Sequence, residues 1–108
     1  MGTSVRLGRA LVFCGLWALV FFAARDGSPF GLDDGKKLYR VHCASCHGVD
    51  GKPVTPNIPD FRRGEGIMKP DIELLEKLKK GSFSMPAYEG ILTEKDILKI
   101  ISYIRTFY

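Results

Sequence analysis

The chain has 108 residues, enough for one small domain, and its 45% content of hydrophobic residues excludes an intrinsically disordered protein. The formal net charge is +4, but Arg6 and Arg9 supply two of the 16 basic residues, which leaves 14 basic and 12 acidic residues in residues 25–108. This near balance excludes a nucleic-acid-binding protein, which needs a concentrated basic face.

The N-terminal stretch predicts export. Residues 10–24, ALVFCGLWALVFFAA, form a run of 15 residues without a charge after two arginines. Such a run is typical of a signal peptide, but an A-x-A cleavage motif is absent. At ~1.5 Å per residue the run is also short for a ~30 Å hydrocarbon core. Residues 1–24 are therefore predicted to be a signal peptide or an uncleaved membrane anchor. Residues 25–108 would lie in the periplasm or on the outer face of the cytoplasmic membrane.

The remaining chain predicts an all-α domain over residues 33–108, after a Gly/Pro-containing linker at residues 25–32. Asp33 or Asp34 can cap a first helix that runs through residues 36–47, and Gly48 can end it. Residues 48–70 are rich in proline and glycine and predict a long irregular loop. A loop of this length in a compact domain is usually functional.

Two further helices are predicted after this loop. Asp71 can cap a helix over residues 72–80, which Gly81 ends. Thr93, with Asp96 three residues later, predicts a capping box at the start of the last helix. Four isoleucines at helical spacing form the apolar stripe of that helix: Ile97, Ile100, Ile101 and Ile104.

The sequence VHCASCHG carries the chemistry of the chain. Cys43, Cys46 and His47 are spaced i, i+3 and i+4, so a helix would place their side chains on one face. A four-ligand zinc site would need more ligands than His42 can add, and a redox dithiol would need a βαβ context. C-x-x-C-H is the attachment motif of haem c, with two thioether bonds from the cysteines and the histidine as iron ligand.

The sixth iron ligand has three candidates. His42 precedes Cys43 on the same helix and so cannot reach the opposite face of the ring. Met68 lies late in the irregular loop. Met85 is favoured, because Pro86 disfavours helix at Met85 and fixes the direction of the chain in a loop between two helices.

These motifs together resemble a short monohaem class I c-type cytochrome. The resemblance covers residues 33–108 and rests on CASCHG followed by DGK, on TPNIPDF, on SMPAY and on the final helix. It implies three to four helices around one covalent haem c. It also implies that Gly35 and Tyr39 of the first helix meet Ile100 and Tyr103 of the last. The carbonyl of Pro56 is expected to hold the ring of the proximal histidine, with Pro59 as the competing position.

The function implied by this resemblance is one-electron transfer with His/Met ligation, without enzymatic activity, between redox proteins that dock transiently. Two alternatives remain open, namely a haem subunit permanently bound in a larger redox complex and a haem sensor or enzyme with an open sixth site. Ala87 and Tyr88 could line the contact with a partner. Basic residues at positions 36, 37, 40, 52, 62, 63 and 69 could steer an acidic partner.

Overall fold

The fold is helical throughout the part of the chain that the computed structural model describes, residues 31–108 together with Gly2. The four α-helices are α1 (Leu32–His42), α2 (Ala44–His47), α3 (Asp71–Lys80) and α4 (Glu94–Ile104). Two 3₁₀ turns cover Phe61–Arg63 and Arg105–Phe107. Since no strand forms between residues 31 and 108, the all-α prediction is confirmed.

Helix α1 begins earlier than the sequence predicted. Its first residue is Leu32, which the prediction had assigned to the linker, and Gly31 precedes it in the left-handed conformation. Asp33 and Asp34 lie in the first turn, so their predicted capping role is wrong. Their carboxylates still stabilise the helix, because negative charge in the first turn complements the helix dipole.

The predicted continuous helix over residues 36–47 is interrupted at Cys43. This residue has φ −123°, outside the helical range, and separates α1 from the single turn α2. Gly48 ends α2 as predicted, with φ 79°, a conformation that favours glycine. The two cysteines of the motif therefore lie at a break in the helix and in the turn that follows.

The N-termini of α3 and α4 differ in how well the sequence predicted them. Asp71 is the first residue of α3 and Pro70 is the cap residue, so the predicted cap at Asp71 is wrong by one position. At α4 the predicted capping box is present: the Thr93 hydroxyl accepts from the Asp96 amide, and the Asp96 carboxylate accepts from the Thr93 amide.

Helices α1 and α4 cross in close contact at Gly35. A Cβ atom on this residue would lie 2.3 Å from the carbonyl oxygen of Lys99 and 3.1 Å from Cβ of Tyr103. One turn later the rings of Tyr39 and Tyr103 meet edge to face, with centroids 5.4 Å apart. The predicted crossing is confirmed, and the backbone of Lys99 is what a Cβ atom on Gly35 would meet first.

The buried side chains form two clusters that share α4. Tyr39, Phe61, Ile67, Ile100 and Ile104 form the first cluster. Leu74, Leu75, Tyr88, Ile97 and Ile101 form the second. The four isoleucines of α4 divide equally between them, so the predicted apolar stripe is confirmed.

The predicted export or anchor segment, residues 1–24, lies outside the described residues apart from Gly2. Among the helices that the structure describes, none combines the length and the apolar character needed to cross a bilayer.

Candidate functional site

The CASCH segment presents two thiols and an imidazole at different depths. Cys43 is partly buried and Cys46 is exposed, and neither forms a disulfide. The amide of His47 donates to the Cys43 carbonyl at 2.9 Å, which keeps the helical spacing between these two residues despite the break. Burial raises the pKa of the Cys43 thiol to about 11. Since neither sulfur belongs to a disulfide, both are available for covalent attachment.

The imidazole of His47 lies against the ring of Phe61. The two rings are nearly parallel, with an interplanar angle of 12° and centroids 4.5 Å apart. Burial lowers the pKa of His47, and the positive charge of Lys77 lowers it further. Both effects favour the neutral imidazole, which is the form that binds metal ions.

The Nδ1 atom of His47 is buried and has no hydrogen-bond partner. The loop that contains Pro56 approaches the segment nearby, because the amide of Val54 donates to the Cys46 carbonyl at 3.0 Å. Pro56 itself is exposed, and its carbonyl does not bond to Nδ1 here. The assignment of Pro56 as the partner of the histidine ring therefore stays a prediction.

Two tyrosine hydroxyls hold the backbone on either side of the CASCH segment. Tyr39, which is fully buried, donates to the Gly48 carbonyl at 2.6 Å. Tyr88 donates to the His42 carbonyl at 2.7 Å. These bonds fix the residues immediately before Cys43 and immediately after His47.

Met85 lies in a loop that is tied to α3. The amide of Ser82 donates to the Met85 carbonyl at 2.8 Å, and the Met85 amide donates to the Ser82 carbonyl at 3.3 Å. At the end of the loop, the Tyr88 amide donates to the carbonyl of Leu78 at 3.0 Å. Because the Tyr88 hydroxyl reaches His42, the structure brings this loop and the cysteine segment together.

Met68 lies in a different environment. Its side chain is 66% exposed. The residues on both sides of it are bound by Arg105, whose guanidinium donates to the carbonyls of Ile67 and Lys69. These bonds hold the backbone around Met68 to the C-terminal turn rather than to the CASCH segment.

Sequence reasoning missed one residue of the site and misplaced another. Phe61 was not singled out, although an aromatic residue in a polar, proline-rich loop is a signal of packing. Tyr88 was predicted to line an exposed contact, but this is wrong: only 8% of it is exposed, because it packs in the second cluster. Ala87 is exposed, as that prediction requires.

The donor set fits a covalent haem c. Cys43 and Cys46 supply free sulfurs for thioether bonds, and His47 supplies a neutral imidazole whose second nitrogen is still unpaired. An iron-binding histidine usually donates its other N–H to a carbonyl, so the orphan Nδ1 marks the position where such a bond would form.

Comparisons with known proteins point to the same chemistry. Residues 31–104 match the model of the family described as cytochrome C oxidase, cbb3-type, subunit III. The chain is 30% identical over 74 residues to cytochrome c6 of Microcystis aeruginosa. This alignment covers 66% of this chain and 90% of that protein. Cytochrome c6 of Euglena viridis is 29% identical over 77 residues, with 65% and 85% covered.

A solved structure agrees as well. The KustC0563 c-type cytochrome superposes with a TM-score of 0.62 at 31% sequence identity, over 68% of this chain and 96% of that one.

Proposed function

Because the chain belongs to the c-type cytochrome family and is an electron-transfer protein that binds haem c rather than an enzyme, we propose that it carries single electrons between redox proteins through one His/Met-ligated haem. The observation that carries this proposal is the CASCH segment, with two free thiols beside the partly buried imidazole of His47, which stacks on Phe61. One-electron oxidation and reduction is the chemistry that a haem held by these residues would supply.

Each residue of the segment has its own task in this proposal. Cys43 and Cys46 would hold the haem through their sulfurs, and His47 would supply an imidazole to its iron. Phe61 keeps the imidazole plane fixed by stacking on it. Pro56, two residues beyond the Val54 amide that bonds to the segment, would offer its carbonyl to Nδ1 of His47.

Met85 is proposed as the second axial ligand. Its loop is closed by the reciprocal bonds with Ser82 and is joined to the cysteine segment through Tyr88 and His42. A thioether ligand raises the reduction potential, because it favours ferrous iron. A thioether from Met85 would also leave the iron without a free position, so that substrates and gases would not bind there.

Carbon monoxide tests this ligation in the reduced protein. The wild type should not bind it readily, whereas Met85→Ala should bind it and keep its covalent haem. Met68→Ala is the matched control and should behave like the wild type. Ready binding by the wild type would favour the sensor or enzyme alternative, and opening of the site by Met68→Ala would transfer the ligand role to that residue.

Mass spectrometry tests the attachment independently. We expect one added haem per chain that survives acid–acetone extraction, and loss of one thioether bond in Cys46→Ala. Release of the haem from the wild type by that extraction would contradict covalent attachment.

The basic residues that were predicted to steer a partner fall into two groups, which differ in whether they form ion pairs. Three of the seven predicted steering residues form ion pairs with nearby carboxylates: Arg62, Arg63 and Lys69. Lys36, Lys37, Arg40 and Lys52 are exposed and form no ion pair within residues 31–108. We therefore propose that the exposed face of α1 steers an acidic redox partner into a transient complex.

The rate of electron transfer to a small anionic redox reagent tests the role of this basic face. Lys36→Glu should slow oxidation by an anionic complex such as hexacyanoferrate and should weaken the dependence of the rate on salt. Lys69→Glu is the control, because the wild-type charge is already paired with Glu73. Equal effects of both changes would show that net charge alone, and not this face, sets the rate.

A second candidate function is a haem subunit that stays bound in a larger redox complex. The description of the matching family, a subunit of an oxidase, favours it. Purification in mild detergent separates the two candidates. A free carrier should be purified without other proteins, whereas a subunit should be purified together with its partners.

The location outside the cytoplasm is also a proposal, carried by the uncharged run at residues 10–24. Residues 25–108 behind an efficient cleavable signal should give a soluble protein with haem attached. Failure of that chain to fold would mean that the first 24 residues belong to the domain.

A further inference from the structure

We propose that Tyr88 is a positioning residue for the methionine ligand: its hydroxyl fastens the Met85 loop to the haem-attachment segment through the His42 carbonyl. This inference rests on the proposed ligation of the iron by Met85. It assigns a role to a residue three positions beyond that methionine.

Every polar group of Tyr88 forms a hydrogen bond within the protein. Its amide donates to the Leu78 carbonyl at 3.0 Å, and its carbonyl accepts from the amides of Ile91 and Leu92, each at 3.0 Å. Its hydroxyl donates to the His42 carbonyl at 2.7 Å. The ring packs in the second cluster and meets the His42 ring edge to face, with centroids 5.8 Å apart. The residue therefore has one fixed position in the fold.

The His42 carbonyl is an acceptor because α1 breaks at the next residue. In a continuous helix this oxygen would accept from the amide of Cys46, four residues later. The Cys46 amide instead donates to the Cys43 carbonyl at 3.2 Å. The Tyr88 hydroxyl thus satisfies a carbonyl that the helix end leaves without its regular partner.

The geometry of the loop explains why this bond should affect the iron ligand. Between Gly81 and Tyr88 the chain is held at its start by the bond from the Gly81 amide to the Lys77 carbonyl. It is held at its end by Tyr88, and among the hydrogen bonds of residues 31–108 the one from the Tyr88 hydroxyl is what links that end to the CASCH side of the molecule, beside the contact of the Tyr88 and His42 rings. Without this link the loop remains on α3, but its distance from the attachment segment is less constrained. A competing ligand would then replace the thioether more easily.

Competition by imidazole in the ferric holoprotein tests the role of Tyr88. Tyr88→Phe removes the hydroxyl and keeps the ring, so the second cluster stays packed. We expect imidazole to bind this variant about five-fold more tightly than the wild type, the factor by which loss of one ordinary hydrogen bond shifts an equilibrium. Hydrogen exchange at the Met85 and Ser82 amides should become faster, which gives a readout that does not depend on electron transfer.

Tyr39→Phe is the matched control. It also removes a hydroxyl that bonds to a carbonyl beside the CASCH segment, but that bond does not involve the methionine loop. This control should lose stability while its imidazole affinity stays at the wild-type value. An equal gain in imidazole affinity in both variants would show general loosening of the segment and would overturn the inference.

The outcomes also separate this inference from the proposed function. A wild-type ferric protein without the charge-transfer band of sulfur ligation would overturn ligation by Met85, and the role of Tyr88 with it. Intact sulfur ligation in the wild type, together with unchanged imidazole affinity in Tyr88→Phe, would overturn the role of Tyr88 alone.

Discussion

Replacement of Gly35 by alanine should destabilise the domain, although alanine is the better helix former. The added methyl group would lie 2.3 Å from the carbonyl oxygen and 2.8 Å from the carbonyl carbon of Lys99. These are backbone atoms in the middle of α4, so they cannot rotate away as a flexible side chain can. The two helices must separate instead, which loosens the contact of Tyr39 with Tyr103 one turn later.

The expected magnitude follows from two opposing effects. Alanine in place of glycine within a helix contributes about 1 kcal/mol of stability. Overpacking of a close contact costs about 1–3 kcal/mol, and overlap with backbone belongs to the upper part of that range. The net loss should be about 1–2 kcal/mol, which lowers the melting temperature of a domain this size by about 5–10 °C.

Urea and thermal unfolding followed by helical circular dichroism measure this loss directly. Lys36→Ala is the control, because it changes an exposed neighbour on the same helix and should alter stability by less than about 0.5 kcal/mol. A Gly35→Ala protein that melts at or above the wild-type temperature would refute the reasoning, since helix propensity would then outweigh the crossing.

Three further changes should also alter stability. Gly48→Ala should impair folding, because Gly48 has φ +79° and a Cβ there would overlap the carbonyl oxygen of Lys52; the yield of folded holoprotein measures this. Thr93→Ala should cost about 1 kcal/mol in urea unfolding by removing the capping box with Asp96. Burial raises the pKa of the Tyr39 phenol above its usual value of 10.0, so the stability it contributes is complete below pH 10 and declines as pH rises. Tyr39→Phe should therefore flatten the loss of stability above pH 10, and an unchanged slope would contradict this.

The sequence predicted those parts of the fold that depend on neighbouring residues. The capping box at Thr93 was predictable because both of its members lie within one helical turn. The isoleucine stripe of α4 was predictable because burial of one helix face imposes a regular spacing. The crossing at Gly35 required the resemblance to a known family, since no local pattern shows which distant helix a glycine meets.

The errors at Cys43 and Tyr88 concern contacts between distant residues, whereas the misplaced starts of α1 and α3 are local shifts of a few positions. The break at Cys43 was missed because CASCH contains no proline or glycine to mark it, and the group that satisfies the freed carbonyl belongs to Tyr88, 46 residues beyond His42. Tyr88 was predicted to line a partner contact because it lies beside the methionine loop. Its burial depends on side chains of α3 and α4, and the order of residues around position 88 does not reveal those contacts.

The two bracketing tyrosines connect the haem-attachment segment to both halves of the core. Tyr39 belongs to the first cluster and holds Gly48, whereas Tyr88 belongs to the second cluster and holds His42. A domain this small has little apolar area to fix a site by packing alone, so buried hydroxyl bonds supply the missing constraint. The position of the thiols therefore depends on each cluster separately. A cavity made in the second cluster should reach the cysteine end of the segment through Tyr88. A cavity made in the first cluster should reach both ends, because Cys43 packs against that cluster and its member Phe61 stacks on His47.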